Sequence, residues 1–225
     1  KGLTNYGPYD VSDASVIEFF YIFHEDNKDA VMKLHDYFQG KKDSFKGLDK
    51  FILTSYHPDK NLKIVFRDKD NPWPEINEGL RNLKTDKNIR YVAIYVSPFS
   101  KEEATPLQEK IYYHLKERLL HLGILSQVID AKKTIHNTMF QYSALNMAIA
   151  ILAKLEGTPW RLQTDLKKEL VVGVGAFHNK ENDVKYIASA FSFNNTGQFN
   201  CFDHFFSNQT KELAGSIIRQ VKEYT

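Results

Sequence analysis

Apolar positions in this chain fall in short runs, and the polar stretches between them carry helical spacing. Residues 16–23 are apolar and β-rich, which predicts a buried first strand. A helical pattern follows over residues 28–37, then a polar stretch near residues 40–44. Residues 51–55 and 62–66 read as two short strands, and residues 74–83 as a helix. The run from Arg90 to Val96 is the strongest strand signal in the chain. A loop containing Ser97, Pro98 and Lys101 leads to a predicted helix over residues 105–122, which Gly123 ends. Residues 124–129 read as a strand. A long helix is predicted over residues 137–155, stopped by Gly157, Thr158 and Pro159. Strands apolar on both faces that alternate with helices indicate an α/β fold, a doubly wound, Rossmann-like parallel sheet.

The pattern changes after about residue 165. Residues 169–177, 184–193 and 198–206 are strand-like and close together, separated by turn residues 179–182 and 194–197. Two hairpins in series make an antiparallel meander. Phe191, Phe193, Phe199, Phe202, Phe205 and Phe206 are expected to form its core. Leu213, Ile217 and Val221 mark one face of a closing helix. A meander followed by a helix is how RNase-H-like folds begin, and such a fold would have further strands after Thr225, so this second domain is expected to be incomplete. The divisions expected are a lead-in linker over residues 1–15, an α/β domain over 16–165 and the partial second domain over 166–225.

Composition narrows the function. With 30 basic and 28 acidic side chains the net charge is +2, too small for a protein that coats nucleic acid through a broad basic face. Any nucleic-acid contact is therefore expected at a focused site. The single cysteine, Cys201, excludes a disulfide framework and a multi-cysteine metal site within the chain. No apolar run has the length of a membrane span, and no apolar signal segment opens the sequence, so a cytoplasmic protein without membrane contact is expected.

Three features interrupt the apolar pattern where chemistry can reside. Tyr112 and Lys116 are four apart on one helix, so both sit beside the apolar stripe of Leu107, Ile111, Leu115, Leu119 and Leu122. That pair can share an anion, and it can equally be a solvated flank. Gln127 lies inside a strand of a sheet that favours apolar residues. Its amide needs partners there, either a ligand in the crevice at the strand end or a neighbouring backbone group. Lys154, like Asn146 before it, interrupts a helix that is apolar nearly all round. Its charge must be paired or must reach water, and complementing the helix C-terminus is the plainer role. Together, two ammonium groups, an amide and a phenol make a clamp for a terminal phosphate dianion. Lys41-Lys42, Lys132-Lys133 and Lys167-Lys168 read as solvated surface.

The order Tyr-x-x-x-Lys, then a glutamine after a Gly-Ile segment, then Lys-x-x-Gly closing an apolar helix resembles the MID domain of prokaryotic Argonautes. The resemblance runs from about the first strand to the end of the chain. It implies that Tyr112, Lys116, Gln127 and Lys154 hold the 5′ phosphate of a guide RNA or DNA, with Asn146 at a further polar position usual in the family. It implies that the loop over residues 97–105 inspects the first guide base, and it admits a Mg2+ ion at the phosphate. Complementary target nucleic acid and a separate effector protein are the partners implied, with a role in defence against invader nucleic acid. The second domain then resembles the start of PIWI, an RNase-H-like nuclease whose first strand carries a metal-holding aspartate in a Gly-x-Asp setting. Gly175, in Gly173-Val174-Gly175, takes that position and offers no ligand, so no catalytic residue is assigned and a non-cutting protein is expected. His178 reads as an ordinary surface residue. The alternatives are a nuclease whose carboxylates lie outside this segment, and a Rossmann-like domain for a small nucleotide or a protein.

Overall fold

The structure, a computed structural model, describes residues 2–14, 16–100, 102–137, 139–161, 170–179, 183–194 and 199–224. Lys101, Lys167, Lys168 and turn residues 180–182 and 195–197, which figure in the sequence reading, lie outside the described residues. The chain divides into two compact units, Lys1–Trp160 and Arg161–Thr225.

The first unit is a four-stranded parallel sheet of β1 (Ile17–His24), β2 (His57–Phe66), β3 (Arg90–Ser97) and β4 (Leu125–Asp130), in the order β2-β1-β3-β4. The central strands β1 and β3 are buried on both faces along their apolar runs, residues 19–23 and 91–96. One face packs against α2 (Lys28–Phe38), α3 (Leu48–Phe51), α6 (Ala131–His136) and α7 (Phe140–Lys154). There Phe19, Phe38, Ile94 and Phe140 are among the buried side chains. The other face packs against α4 (Trp73–Arg81) and α5 (Pro106–His121), burying Phe20, Phe66, Ile76, Ile111 and Leu119. Helices on both faces of a parallel sheet are the doubly wound architecture expected.

Local chemistry sets the ends of α5. Thr105 and Gln108 form a reciprocal capping box at its start, each side chain bonding the other's backbone N–H. Gly123 follows its end at φ +68°, a conformation that costs glycine no Cβ clash.

Several expectations are corrected. Residues 51–55 are not a strand: Phe51 ends the short helix α3, and Leu53 adopts φ +54°. The long helix expected from residue 137 forms as α7, but the short helix α6 before it, capped by Asp130, was not expected. The lead-in carries a one-turn helix α1 (Gly2–Tyr6), and Asp10 pairs with Thr158 beyond it. On α5 only Ile111, Leu115 and Leu119 of the expected stripe are buried, whereas Leu107 and Leu122 are exposed near the helix ends.

In the second unit β7 (Val184–Asn194) is central. It pairs on one side with β5 (Leu170–Val174) and β6 (Phe177–Asn179), and on the other with β8 (Phe199–Phe206), all antiparallel. The first strand of the expected meander is thus one row, broken at Gly175 and Ala176. Helix α8 (Thr210–Tyr224) packs on β7 and β8. Its buried residues are Ser216 and Gln220, with Ser216 donating to the Asp203 carboxylate. Val221, expected on the inner face, is exposed. Phe199, Phe202 and Phe206 are also exposed, so the expected phenylalanine core is not formed by these three. The side chains of Phe191 and Phe193 are outside what the structure describes.

Candidate functional site

Strand β4 is an edge strand of the first unit's sheet, so one row of its backbone groups has no strand partner. α5 covers one face beside this edge and α7 approaches from the other. A cavity of about 730 Å³ opens there, lined by Tyr112 and Lys116 from α5, Ser126 and Gln127 from β4, and Lys154 from the last turn of α7. Four residues spread over 43 positions of sequence thereby meet in one cavity. Asn146 does not join them. It is exposed two turns earlier on α7, roughly 12 Å along the axis from Lys154.

Side chains satisfy the free edge of β4. Lys154 Nζ donates to Ser126 O at 2.6 Å and to Gln127 Oε1 at 2.6 Å. Gln127 Nε2 donates in turn to Val128 O at 3.1 Å. The glutamine is tolerated in the sheet because its strand is an edge strand and both ends of its amide are paired. Lys116 Nζ lies 3.5 Å from the Tyr112 hydroxyl, the outer limit of a hydrogen bond, and 5.6 Å from the centre of the Tyr112 ring.

Among the described residues neither Lys116 nor Lys154 has a carboxylate partner. Lys154 as a residue is largely exposed, but its ammonium is pressed against β4. Lost hydration there, and secondarily the positive charge of Lys116, lower its pKa from the ordinary lysine value. Two like charges that line one cavity, neither within ion-pair distance of a carboxylate among the described residues, favour an anion beside them. The empty native state holds its proton less tightly than the unfolded chain, so stability rises with pH between the folded and unfolded values. Any anion placed beside Lys154 would oppose that shift and favour the protonated ammonium.

Several lining residues escaped the sequence reading. Tyr95 belongs to a strand read only as apolar, and Ser97, read as the first residue of the loop after it, ends that strand. Asp130 is the N-cap of α6, a helix the sequence reading did not assign, although an aspartate at the N-cap position is a usual start signal. Lys133 lines the cavity and pairs with Glu102 at 3.2 Å, and Lys132 pairs with Glu103. These exposed pairs tie the loop after β3 to α6.

In the second unit, Gly175 is exposed, and a Cβ built on it would meet nothing within 4 Å. Its backbone is not in the left-handed region. Neither space nor backbone conformation requires a glycine there. His178 Nε2 lies 2.7 Å from Asp183 Oδ1 within the β6–β7 hairpin. Among the described residues no three histidine, cysteine, aspartate or glutamate side chains are grouped to hold a metal ion, and no helix is long and apolar enough to cross a membrane.

Comparison with known proteins places the chain in a family. Residues 104–224, more than half of the chain, match the Piwi domain. A protein argonaute from Cereibacter sphaeroides is 27% identical over 176 residues, covering 72% of this chain and 22% of that protein. The Argonaute of Methanocaldococcus jannaschii in complex with guide DNA superposes with a TM-score of 0.60 at 17% identity, over 90% of this chain and 27% of that one. Marinitoga piezophila Argonaute in complex with 5′ OH guide RNA gives 0.56 at 14% identity, over 93% and 33%. The chain thus spans about a fifth to a third of these relatives. With a Piwi-domain match and a parallel α/β unit followed by an antiparallel meander, the chain belongs to the Piwi-domain family and is an Argonaute-like MID and PIWI segment.

Proposed function

We propose that the cavity at the edge of β4 grips the 5′ phosphate of a guide RNA or DNA, in an Argonaute that does not itself cut. The observation that carries this reading is the convergence of Lys116 and Lys154, neither with a carboxylate partner among the described residues, on one cavity with Tyr112 and Gln127. Both ammonium groups donate to phosphate oxygens. Gln127 turns its amide donor from Val128 O toward the phosphate, and the Tyr112 ring offers a face to the first base. Such a site reads an end rather than a sequence, as the near-neutral charge of the chain requires. The fold alone does not choose the end chemistry, since one structural neighbour carries a 5′ OH guide. The lysines supply the choice here.

A Mg2+ ion at this site would arrive with the phosphate. Glu109 and Asp130 are the carboxylates lining the cavity, and Asp130 is committed to capping α6. The non-cutting role rests on Gly175, which stands where the resemblance places the first metal-holding aspartate. Recognition of complementary invader nucleic acid, with a separate effector protein acting on the result, completes the proposal.

The test is direct binding of two oligonucleotides that differ only at the 5′ end. The phosphorylated one binds more tightly, and neither is cleaved in Mg2+ or Mn2+. Equal affinity overturns the phosphate reading. Cleavage by the purified full-length protein overturns the non-cutting one and favours carboxylates outside this segment. The lowered Lys154 pKa adds a pH signature. Affinity for the phosphorylated guide rises between about pH 5 and 7 as the phosphate becomes a dianion. It falls again as pH climbs through the lowered pKa of Lys154. Lys154→Arg abolishes the alkaline fall, because guanidinium stays protonated. An alkaline fall that persists in Lys154→Arg assigns the titration to another group.

A further inference from the structure

Lys133 lines the same cavity as Lys116 and Lys154, but it is not short of counter-charge. Its ammonium donates to both carboxylate oxygens of Glu102, at 3.2 and 3.3 Å, and lies 3.9 Å from Asp130 Oδ2. Beside it, Lys132 is paired with Glu103. The hydrogen bond between those two lowers the Glu103 pKa and raises that of Lys132 from their ordinary values, so both stay ionised at neutral pH.

Strand pairing sets these charges opposite one another. Ser97 at the end of β3 pairs with Asp130 at the end of β4, so the loop after β3 and helix α6 start side by side. The N–H groups of Glu103 and Ala104 both donate to Ser100 O, which closes a turn carrying Glu102 and Glu103. Lys132 and Lys133 follow Ala131 in the first turn of α6. Two adjacent carboxylates thus neutralise two adjacent ammonium groups. Ser100 and Ala104 belong to the cavity lining, so the acidic turn is built on the cavity wall. All four charged side chains are 57–67% exposed, which leaves them open to competition from a dissolved polyanion.

We infer that Glu102 and Glu103 form an autoinhibitory strap, which occupies Lys132 and Lys133 in the empty chain and yields them to the backbone phosphates of a bound strand. The inference rests on the phosphate reading above, since a strand anchored at its 5′ end holds its next phosphates beside the wall that Lys133 lines. A carboxylate and a phosphodiester offer an ammonium the same kind of charge-assisted bond. The strand prevails for two reasons. Anchoring raises the effective concentration of its phosphates at the lysines, and each lysine that neutralises a phosphate releases condensed counterions. Exposed ion pairs are weak, so the strap gives way at little cost. Free polyanions that lack an anchored end gain only the second effect, and the strap therefore keeps two lysines from binding strands indiscriminately.

The test is a double-mutant cycle on the 225-residue chain. One arm carries Glu102→Gln with Glu103→Gln, the second Lys132→Gln with Lys133→Gln, and the third all four substitutions. Each is titrated with a 5′-phosphorylated oligonucleotide and with the mononucleotide 5′-phosphate, which has no following phosphates. Removing the two carboxylates tightens oligonucleotide binding by about threefold to tenfold, the worth of two exposed ion pairs, and changes mononucleotide binding by less than about twofold. With both lysines already replaced, removing the carboxylates has no effect on either ligand. Unchanged oligonucleotide binding overturns the strap. So does a gain that persists without the lysines, which is general charge repulsion, or an equal gain for the mononucleotide. A wild-type chain that binds 5′-phosphorylated and 5′-hydroxyl strands equally overturns the underlying phosphate reading instead, and the cycle repeated on the 5′-hydroxyl strand still reports whether the carboxylates mask the lysines. Thermal melting checks that each variant folds.

Discussion

Lys154→Ala is expected to lower affinity for a 5′-phosphorylated oligonucleotide by roughly 10–150-fold, the worth of a hydrogen bond to a charged group. A 5′-hydroxyl oligonucleotide should bind almost as before. Fluorescence anisotropy at fixed salt measures both, since phosphate contacts are salt-dependent. The specificity of the loss is what matters. Lys154 also caps Ser126 O, but that carbonyl lies at a sheet edge where water can replace the ammonium, so folding should change little. Lys116→Ala should act in the same direction. The two losses should not add, because removing one charge also removes the repulsion that lowers the Lys154 pKa in the empty site. Equal weakening of both oligonucleotides would make Lys154 a general backbone contact.

Leu115→Ala is expected to destabilise the first unit by about 2–5 kcal/mol. Leu115 is 1% exposed and precedes Lys116 on α5. Its side chain joins Ile111 and Leu119 in the core between α5 and the sheet, and this packing fixes the height at which Lys116 and Tyr112 stand over β4. The substitution removes a buried isobutyl group and leaves a cavity that the rigid β-core closes poorly. Urea denaturation followed by tryptophan fluorescence measures the loss. A change under about 1 kcal/mol would show that α5 repacks readily, and its side chains would then be poor anchors for a preformed site.

The parallel sheet was legible in the sequence because its central strands are buried on both faces. Runs such as residues 91–96 therefore carry no charged residue. The start and end of α5 were equally plain, since Thr105, Gln108 and Gly123 each satisfy a backbone need of a helix terminus. Residues 51–55 misled because a short apolar run does not distinguish a strand from a buried helical turn, and the positive φ of Leu53 leaves no mark in its type. Of the site, Gln127 and Lys154 stood out because each breaks an apolar pattern at a place where amide or charge is costly, whereas Tyr112 and Lys116 flank an apolar stripe and gained weight only beside the other two and through the family resemblance. Asn146 broke the same pattern, but it faces solvent, so an interruption alone does not locate a side chain. Tyr95 and Asp130 were hidden for the opposite reason. A tyrosine in a β-run and an aspartate before a helix are both unremarkable until the fold puts them in the lining of one cavity. Gly175 was conspicuous only through the family resemblance, because nothing in its surroundings requires a glycine.

The most direct measurement is a crystal structure of this chain with a 5′-phosphorylated dinucleotide. The account predicts one phosphoryl group in the cavity between α5 and α7, with Nζ of both Lys116 and Lys154 about 2.7–2.9 Å from its oxygens. A phosphoryl group seated elsewhere, or reached by only one of the two ammonium groups, would contradict it.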